Sequence, residues 1–163
     1  MTKHEHVIQL SEVPVDTIHA PEGSAFGGWR QRVGMHVGAQ RLGYSFFTVP
    51  PGKAAFPYHT HSGNEEITVS AGTVVACPPG SDYPHQLINT GPAELHYLVV
   101  STMEYPDLSE YPDSNKVGAY ASAAVGPKVG FRALYVRDKN VNYYYDGEDG
   151  KEIERIVKSN GRE

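Results

Sequence analysis

Apolar and polar positions alternate most clearly over Leu42-Gly43-Tyr44-Ser45-Phe46-Phe47-Thr48-Val49. Leu42, Tyr44, Phe46 and Thr48 fall on one face, and Gly43, Ser45, Phe47 and Val49 on the other. A period of two marks a strand. Pro50-Pro51-Gly52-Lys53 follows as a turn, with proline preset for the first corner and glycine for a positive φ. Phe56 to His61 reads as the next strand, with Pro57 near its start, where a missing N–H costs least. Glu66 to Gly72 and Thr73 to Cys77 read as short strands. Another opens at His85 and closes at Asn89, behind the Pro78-Pro79-Gly80 turn. Ala93 to Thr102, entered through the Gly91-Pro92 turn, and Phe131 to Val136 complete the β-rich segments.

The flanks are less periodic. In residues 1–24, Val7-Ile8 with Val13 and Val15 predict a short edge strand, and 25–40 mix glycines with Trp29 and Arg30 as loop and irregular strand. Tyr105-Pro106-Asp107 and Tyr111-Pro112-Asp113 are turn signatures, since Asp can bond back to its own backbone. Residues 119–130 read as an Ala- and Gly-rich linker, and Asn142 to Gly147 as an aromatic cluster packed on the barrel. Glu152, Ile153, Ile156 and Val157 have the spacing of a short C-terminal helix. The predicted organisation is an N-terminal extension over 1–40, a core over 41–104 and a C-terminal extension over 105–163.

Composition supports one all-β core. The 163 residues are 39% hydrophobic and 20% charged, ordinary for a globular chain, and 17 glycines with 12 prolines suit many short strands joined by tight turns. The net charge is −5, and Lys and Arg are scattered without a basic stripe, so neither nucleic acid nor membrane is an expected partner. Cys77 is the single cysteine, which excludes an internal disulfide and leaves a small buried hydrophobe as its expected role. The N-terminus has no apolar run of signal-peptide length and no window reaches about 18 apolar residues, so a cytoplasmic protein is expected.

Candidate chemistry concentrates in Tyr58-His59-Thr60-His61-Ser62-Gly63-Asn64-Glu65-Glu66. Residues two apart on a strand share a face, so His59 and His61 can aim two imidazoles at one point. A carboxylate beyond the Ser62-Gly63-Asn64 turn can return to that point from a neighbouring strand. Nitrogen and oxygen donors of this kind suit one divalent transition metal: Fe, Mn, Ni, Co or Zn. A second His-x-His pair, His4 and His6, has no such context and reads as terminus. His96 has no partner motif and reads as packed or surface.

Together these stretches resemble the cupin superfamily. Its first motif is His-x-His, three or four residues, Glu, six residues, Gly. Its second is Gly, five residues, Pro-x-Gly, a short gap, His, three residues, Asn. Here Gly72, Pro78-Pro79-Gly80 and His85-x3-Asn89 fit the second motif, with two extra residues between Gly80 and His85. The resemblance implies a jelly-roll, or double-stranded β-helix, barrel whose metal ligands are His59, His61, His85 and one glutamate. Glu66 matches the commoner spacing and the inward position of the second acid in relatives; Glu65 is the alternative. The resemblance also implies a homodimer in which the N-terminal segment pairs with a second subunit. The tract around Tyr111-Pro112-Asp113 resembles bacterial cupins described as sugar-phosphate isomerases.

One departure stands out. Relatives place two strands and a hairpin between the two motifs, roughly 12–20 residues, yet Gly72 serves both motifs here. Either the sequence as given omits a segment after Glu66, or the chain is a deletion variant, or a partner strand fills the gap. Loss of that wall is expected to expose an edge and turn the ligands toward solvent.

Three functions follow. The first is a metalloenzyme acting on a small polar molecule, an isomerase, dioxygenase or lyase, with Tyr44, Tyr58 and Tyr97 as candidate proton handlers. The second is a non-catalytic small-molecule-binding or sensor module. The third is a barrel that keeps its ligands and has lost its pocket. An isomerase of sugar phosphates needs convergent cations; Lys53, Arg30, Arg32 and Arg41 are available, but no spacing among them compels a phosphate site.

Overall fold

β3 (Gly43–Val49) is the hub of the larger sheet. In the computed structural model, which describes residues 4–121 and 130–139, it pairs antiparallel with β7 (Leu95–Ser101) along its whole length, from Gly43↔Ser101 to Val49↔Leu95. Its other edge carries β2 (Gly28–Gln31), which in turn pairs with β1 (Asp16–Ile18). Beyond β7 lie β5 (Glu66–Ser70) and β6 (Thr73–Cys77), giving the order β1-β2-β3-β7-β5-β6. The second sheet runs β10 (Arg132–Val136), β9 (Lys116–Tyr120), β8 (Asp107–Tyr111) and β4 (Thr60–His61). Past β4, His59 and His85 exchange both backbone hydrogen bonds, at 3.1 and 2.8 Å. Among the described residues there is no α-helix, only four short 3-10 turns.

The apolar core sits between the sheets at one end of the barrel. Phe47, Val49, Ala55 and Tyr97 are buried together, with the Phe47 and Tyr97 rings stacked at 5.1 Å. Asn89 closes that end. Its buried amide donates to the Val49 and Ala93 carbonyls, both at 2.8 Å, and its Oδ1 accepts from the Gly91 N–H at 3.0 Å. Cys77 is buried, as its place in an apolar strand predicts.

Several expectations need correction. The N-terminal strand forms at Asp16–Ile18 rather than around Val7 to Val15, because it is the edge of β2 that fixes its position. Residues 25–40 contribute β2, a regular strand of the main sheet. The stretch from His85 to Asn89 makes only isolated bridges, at His85 and Ile88. Ala119 and Tyr120 end β9 rather than begin a linker. The aromatic cluster at 142–147 and the terminal helix around Glu152 to Val157 lie outside the described residues.

No further hairpin stands between the two motifs. β5 runs unbroken from Glu66 to Ser70 and reverses through Ala71-Gly72 into β6, in register from Ser70↔Thr73 to Glu66↔Cys77. Gly72 makes this two-residue turn possible, with φ +75°, a conformation other residues rarely adopt. β6 is consequently the last strand of its sheet, with Val74 68% exposed.

Candidate metal centre

The local fold explains how four side chains from three chain segments meet. Thr60 turns away into a buried position, 1% exposed, so His59 and His61 on either side of it face the cavity. His85 comes opposite His59 through the backbone bridge, their ring centroids 4.6 Å apart. The turn after His61 is pinned, Ser62 N–H donating to the Leu108 carbonyl at 2.8 Å and Gly63 N–H to Asp107 Oδ1 at 2.9 Å. Glu65 then pairs with Thr102 through its backbone and leaves its side chain exposed. Glu66, one residue on, points inward. Donor atoms of His59, His61, Glu66 and His85 all lie within 4.8 Å of one another.

Each imidazole is oriented from behind. His59 Nδ1 lies 2.8 Å from the Pro57 carbonyl, His85 Nδ1 3.2 Å from the Tyr83 carbonyl and His61 Nδ1 2.6 Å from Asp107 Oδ2. These partners only accept, so Nδ1 carries the proton in all three rings and the Nε2 lone pairs are left for the cavity. His61 Nε2 is 3.8 Å from Glu66 Oε1, and His85 Nε2 3.6 Å from Glu66 Oε2. His85 Nε2 is buried without a hydrogen-bond partner, a costly state for an isolated nitrogen and the expected one for a metal ligand. Three imidazoles and one carboxylate fit a borderline divalent ion.

The electrostatics agree. Burial, reinforced by the neighbouring His85 and His61, lowers His59 to about 4, so it is neutral and ready to ligate at pH 7. Burial alone would lower His61 as well, but the Asp107 hydrogen bond and the charges of Glu66 and Asp107 outweigh it and raise the value. Glu66 is pushed up by burial, yet the three histidines hold it below the usual carboxylate range. Asp107 is likewise pushed up by burial and pulled below its ordinary value by His61, Gly63 N–H and Asn64.

The tetrad opens on a cavity of ≈ 920 Å³ between the sheets, so the pocket is retained. The ligands are also sheltered, with 17% (His61), 19% (Glu66) and 14% (His85) of the side chain exposed, contrary to the solvent-facing site expected from a missing wall. Tyr97 and Tyr44 line this cavity; Tyr58 is half-buried and is not part of its lining. Burial, and more weakly Glu66, raise Tyr97, which makes it a hydrogen-bond donor rather than a base at neutral pH. Lys53 is engaged elsewhere, donating to the Ser24 carbonyl at 2.6 Å, and Arg41 lies outside the lining, whereas Arg30 and Arg32 are in it. His96 is exposed, 3.1 Å from Thr48 Oγ1.

Sequence reasoning missed β8. Asp107, read as part of a turn, opens this strand and orients His61. Ser109 Oγ stands 3.3 Å from His61 Nδ1, and the Tyr111 ring lies 5.9 Å from His59. The available signal was the spacing of two through Asp107, Ser109 and Tyr111.

No protein-family model matches the chain, and no curated protein sequence does. Solved structures do. One is a sugar phosphate isomerase from a cupin superfamily from Silicibacter pomeroyi, with TM-score 0.66 and 19% identity over 85% of this chain and 97% of that one. Another is described as a candidate sugar phosphate isomerase from Acidithiobacillus ferrooxidans, with TM-score 0.57 and 19% identity over 72% of this chain and 81% of that one. Likeness at this identity is a likeness of fold: the chain has the cupin barrel. No helix among the described residues is long and apolar enough to cross a membrane.

Proposed function

We propose that this protein is a divalent-metal-dependent enzyme acting on a small polar molecule, with isomerisation of a sugar phosphate as the favoured reaction. The observation that carries the metalloenzyme reading is the set of three imidazoles with outward-anchored Nδ1 atoms and free Nε2 lone pairs facing Glu66 in a ligand-sized cavity. The names of the two structural neighbours favour the isomerase over a dioxygenase or a non-catalytic module.

His59, His61, Glu66 and His85 would hold a divalent ion, which would supply Lewis-acid polarisation of a carbonyl or hydroxyl oxygen. The chain supplies the rest. The Tyr111 and Tyr120 hydroxyls lie 3.0 Å apart, so one can donate to the other and leave a second O–H for a substrate oxygen. Burial, and then the contact with Tyr120, raise Tyr111, so Tyr111 stays protonated at neutral pH. Phe47, Val99 and Tyr97 form an apolar wall that excludes water from one side of the bound molecule.

The test is reconstitution with each of Fe, Mn, Ni, Co and Zn, followed by proton NMR of phosphorylated aldoses and ketoses in deuterated buffer. Metal-dependent exchange at the carbon beside the carbonyl, abolished in Glu66→Gln, is the expected result. Oxygen consumption in place of exchange would move the assignment to a dioxygenase. Binding without turnover would move it to a sensor module.

A further inference from the structure

Arg30 on β2 and Arg32 just past its end belong to one sheet and Arg132 on β10 to the other, yet all three line the cavity that holds the metal ligands. Arg30 and Arg32 also border a second cleft of ≈ 590 Å³, next to Asp16 and His19, so they stand where the main cavity reaches the surface. The local charge is unbalanced. Asp16 Oδ2 is 3.0 Å from Arg32 Nε and 3.8 Å from Arg30, and among the described residues it is the one carboxylate paired with any of the three. Among the described residues, three guanidinium charges against one paired carboxylate leave a local excess of two positive charges, in a chain whose net charge is −5.

Such a cluster costs energy as it stands. Burial first, then Arg32 and Arg132, pull the Arg30 guanidinium below its usual value, and Asp16 only partly opposes them. Arg30 Nε is buried without a hydrogen-bond partner among the described residues. Arg132 is held in place by its guanidinium lying 5.3 Å from the centre of the Tyr120 ring. Planar, permanently charged, multiply donating side chains that converge on one hollow are suited to an oxyanion.

We propose that Arg30, Arg32 and Arg132 form an anion-binding subsite, and that the molecule processed at the metal carries a phosphoryl dianion at its far end. The excess of two charges matches a dianion better than a carboxylate. Asp107, which orients His61, and Arg132 both pair with Tyr120 across the second sheet. Their backbones are thus two strand spacings apart, about 10 Å. A small phosphorylated molecule can bridge that span with its phosphoryl group on the arginines and its reacting end at the tetrad. Assigning the anion to one end of a substrate rests on the function proposed above; the existence of the subsite does not.

The test is calorimetric titration of inorganic phosphate into the full chain after metal removal and exhaustive dialysis, in chloride buffer. One equivalent should bind. Arg30→Gln and Arg132→Gln should each weaken binding by about tenfold or more, as expected for loss of a charge-assisted hydrogen bond. Arg132 is exposed and makes no ion pair among the described residues, so its variant is informative even if Arg30→Gln misfolds. Asp16→Asn should tighten phosphate by about fivefold or more, because a like charge beside the anion is removed. Arginines serving only as an ion pair between β1 and β2 would produce no tightening. His61→Ala should leave phosphate affinity unchanged, which separates this subsite from the metal. No binding by the metal-free wild type, arginine variants within twofold of it, or weaker binding in Asp16→Asn would each overturn the subsite. Acetate competing as well as phosphate would overturn its phosphoryl assignment. Phosphate binding without any metal-dependent turnover would remove the proposed function and leave the subsite standing.

Discussion

On β3 and β7 the side chains turned toward the cavity include Phe47, Tyr97 and Val99, whereas on β5 and β8 they are Glu66, Thr68, Asp107, Ser109 and Tyr111. The outward faces do not repeat the contrast. Ile67 and Val69 on β5 and Leu108 on β8 are exposed, so these two strands carry polar groups inside and several apolar groups outside. One side of the barrel is therefore held by apolar burial, and the other by hydrogen bonds around the histidines. The difference teaches that a barrel with a site on its inner wall gives up the usual alternation where the chemistry is. Stability and ligand geometry are then supplied by separate residues, and substitutions can address them separately.

The largest effect should come from the site side. Replacing both His59 and His61 by alanine is expected to take bound metal from one equivalent to none, measured by elemental analysis after gel filtration, while the protein stays folded. A full equivalent retained would remove the metal centre. On the packed side, Phe47→Ala should cost about 3–5 kcal/mol in urea unfolding, with metal stoichiometry intact in the fraction still folded.

Acid sharpens the contrast. His59 is lowered to about 4 in the folded protein from an ordinary 6.5, so the unfolded chain binds its proton more readily. In the metal-free protein that contribution is fully present above pH 6.5 and is lost as pH falls toward 4, amounting to about 3 kcal/mol. Glu66 and Asp107, both held low, lose stability in the same direction as pH falls; His61, held high, works the other way. The difference between wild type and His59→Gln across this range isolates the His59 share, and equal slopes in the two proteins would refute it.

Asp107→Ala should weaken metal binding by about 10- to 100-fold through loss of the His61 orientation, detectable by competition with a chelating dye. An unchanged affinity would reduce Asp107 to a loop anchor. The smallest effect on stability should lie on the outer face. Phe46, Leu98, Val69 and Val74 form one apolar row across four strands, with no charge among them. We expect two copies to bury this row against each other. Val74→Lys should change stability by no more than about 0.5 kcal/mol and yet convert a dimer to a monomer in sedimentation velocity. A wild type that remains monomeric at micromolar concentration would count against that assembly.

The two sides were not equally legible from sequence. His59, His61, Glu66 and His85 could be read because ligand spacing is a local property, and β3, β7 and β10 because their patterns are regular. Asp107 could not, since it reaches His61 from 46 residues away and belongs to a strand whose apolar residue, Leu108, faces out. Nor could the meeting of Arg30 with Arg132, which depends on how two sheets close on each other. The apparent gap after Glu66 came from expecting extra strands where Ala71-Gly72 makes a complete turn.

Tyr120 pairs across the second sheet with Asp107 on one side and with Arg132 on the other. One rung therefore joins the residue that orients a metal ligand to a residue that would hold the anion, and a shift of β9 moves both. With both sites filled, the two would become thermodynamic partners. Whatever factor a filled metal site imposes on phosphate affinity, phosphate must impose on metal affinity. Substitution of Tyr120 would weaken that reciprocity and phosphate affinity together, because its ring also holds Arg132 in place.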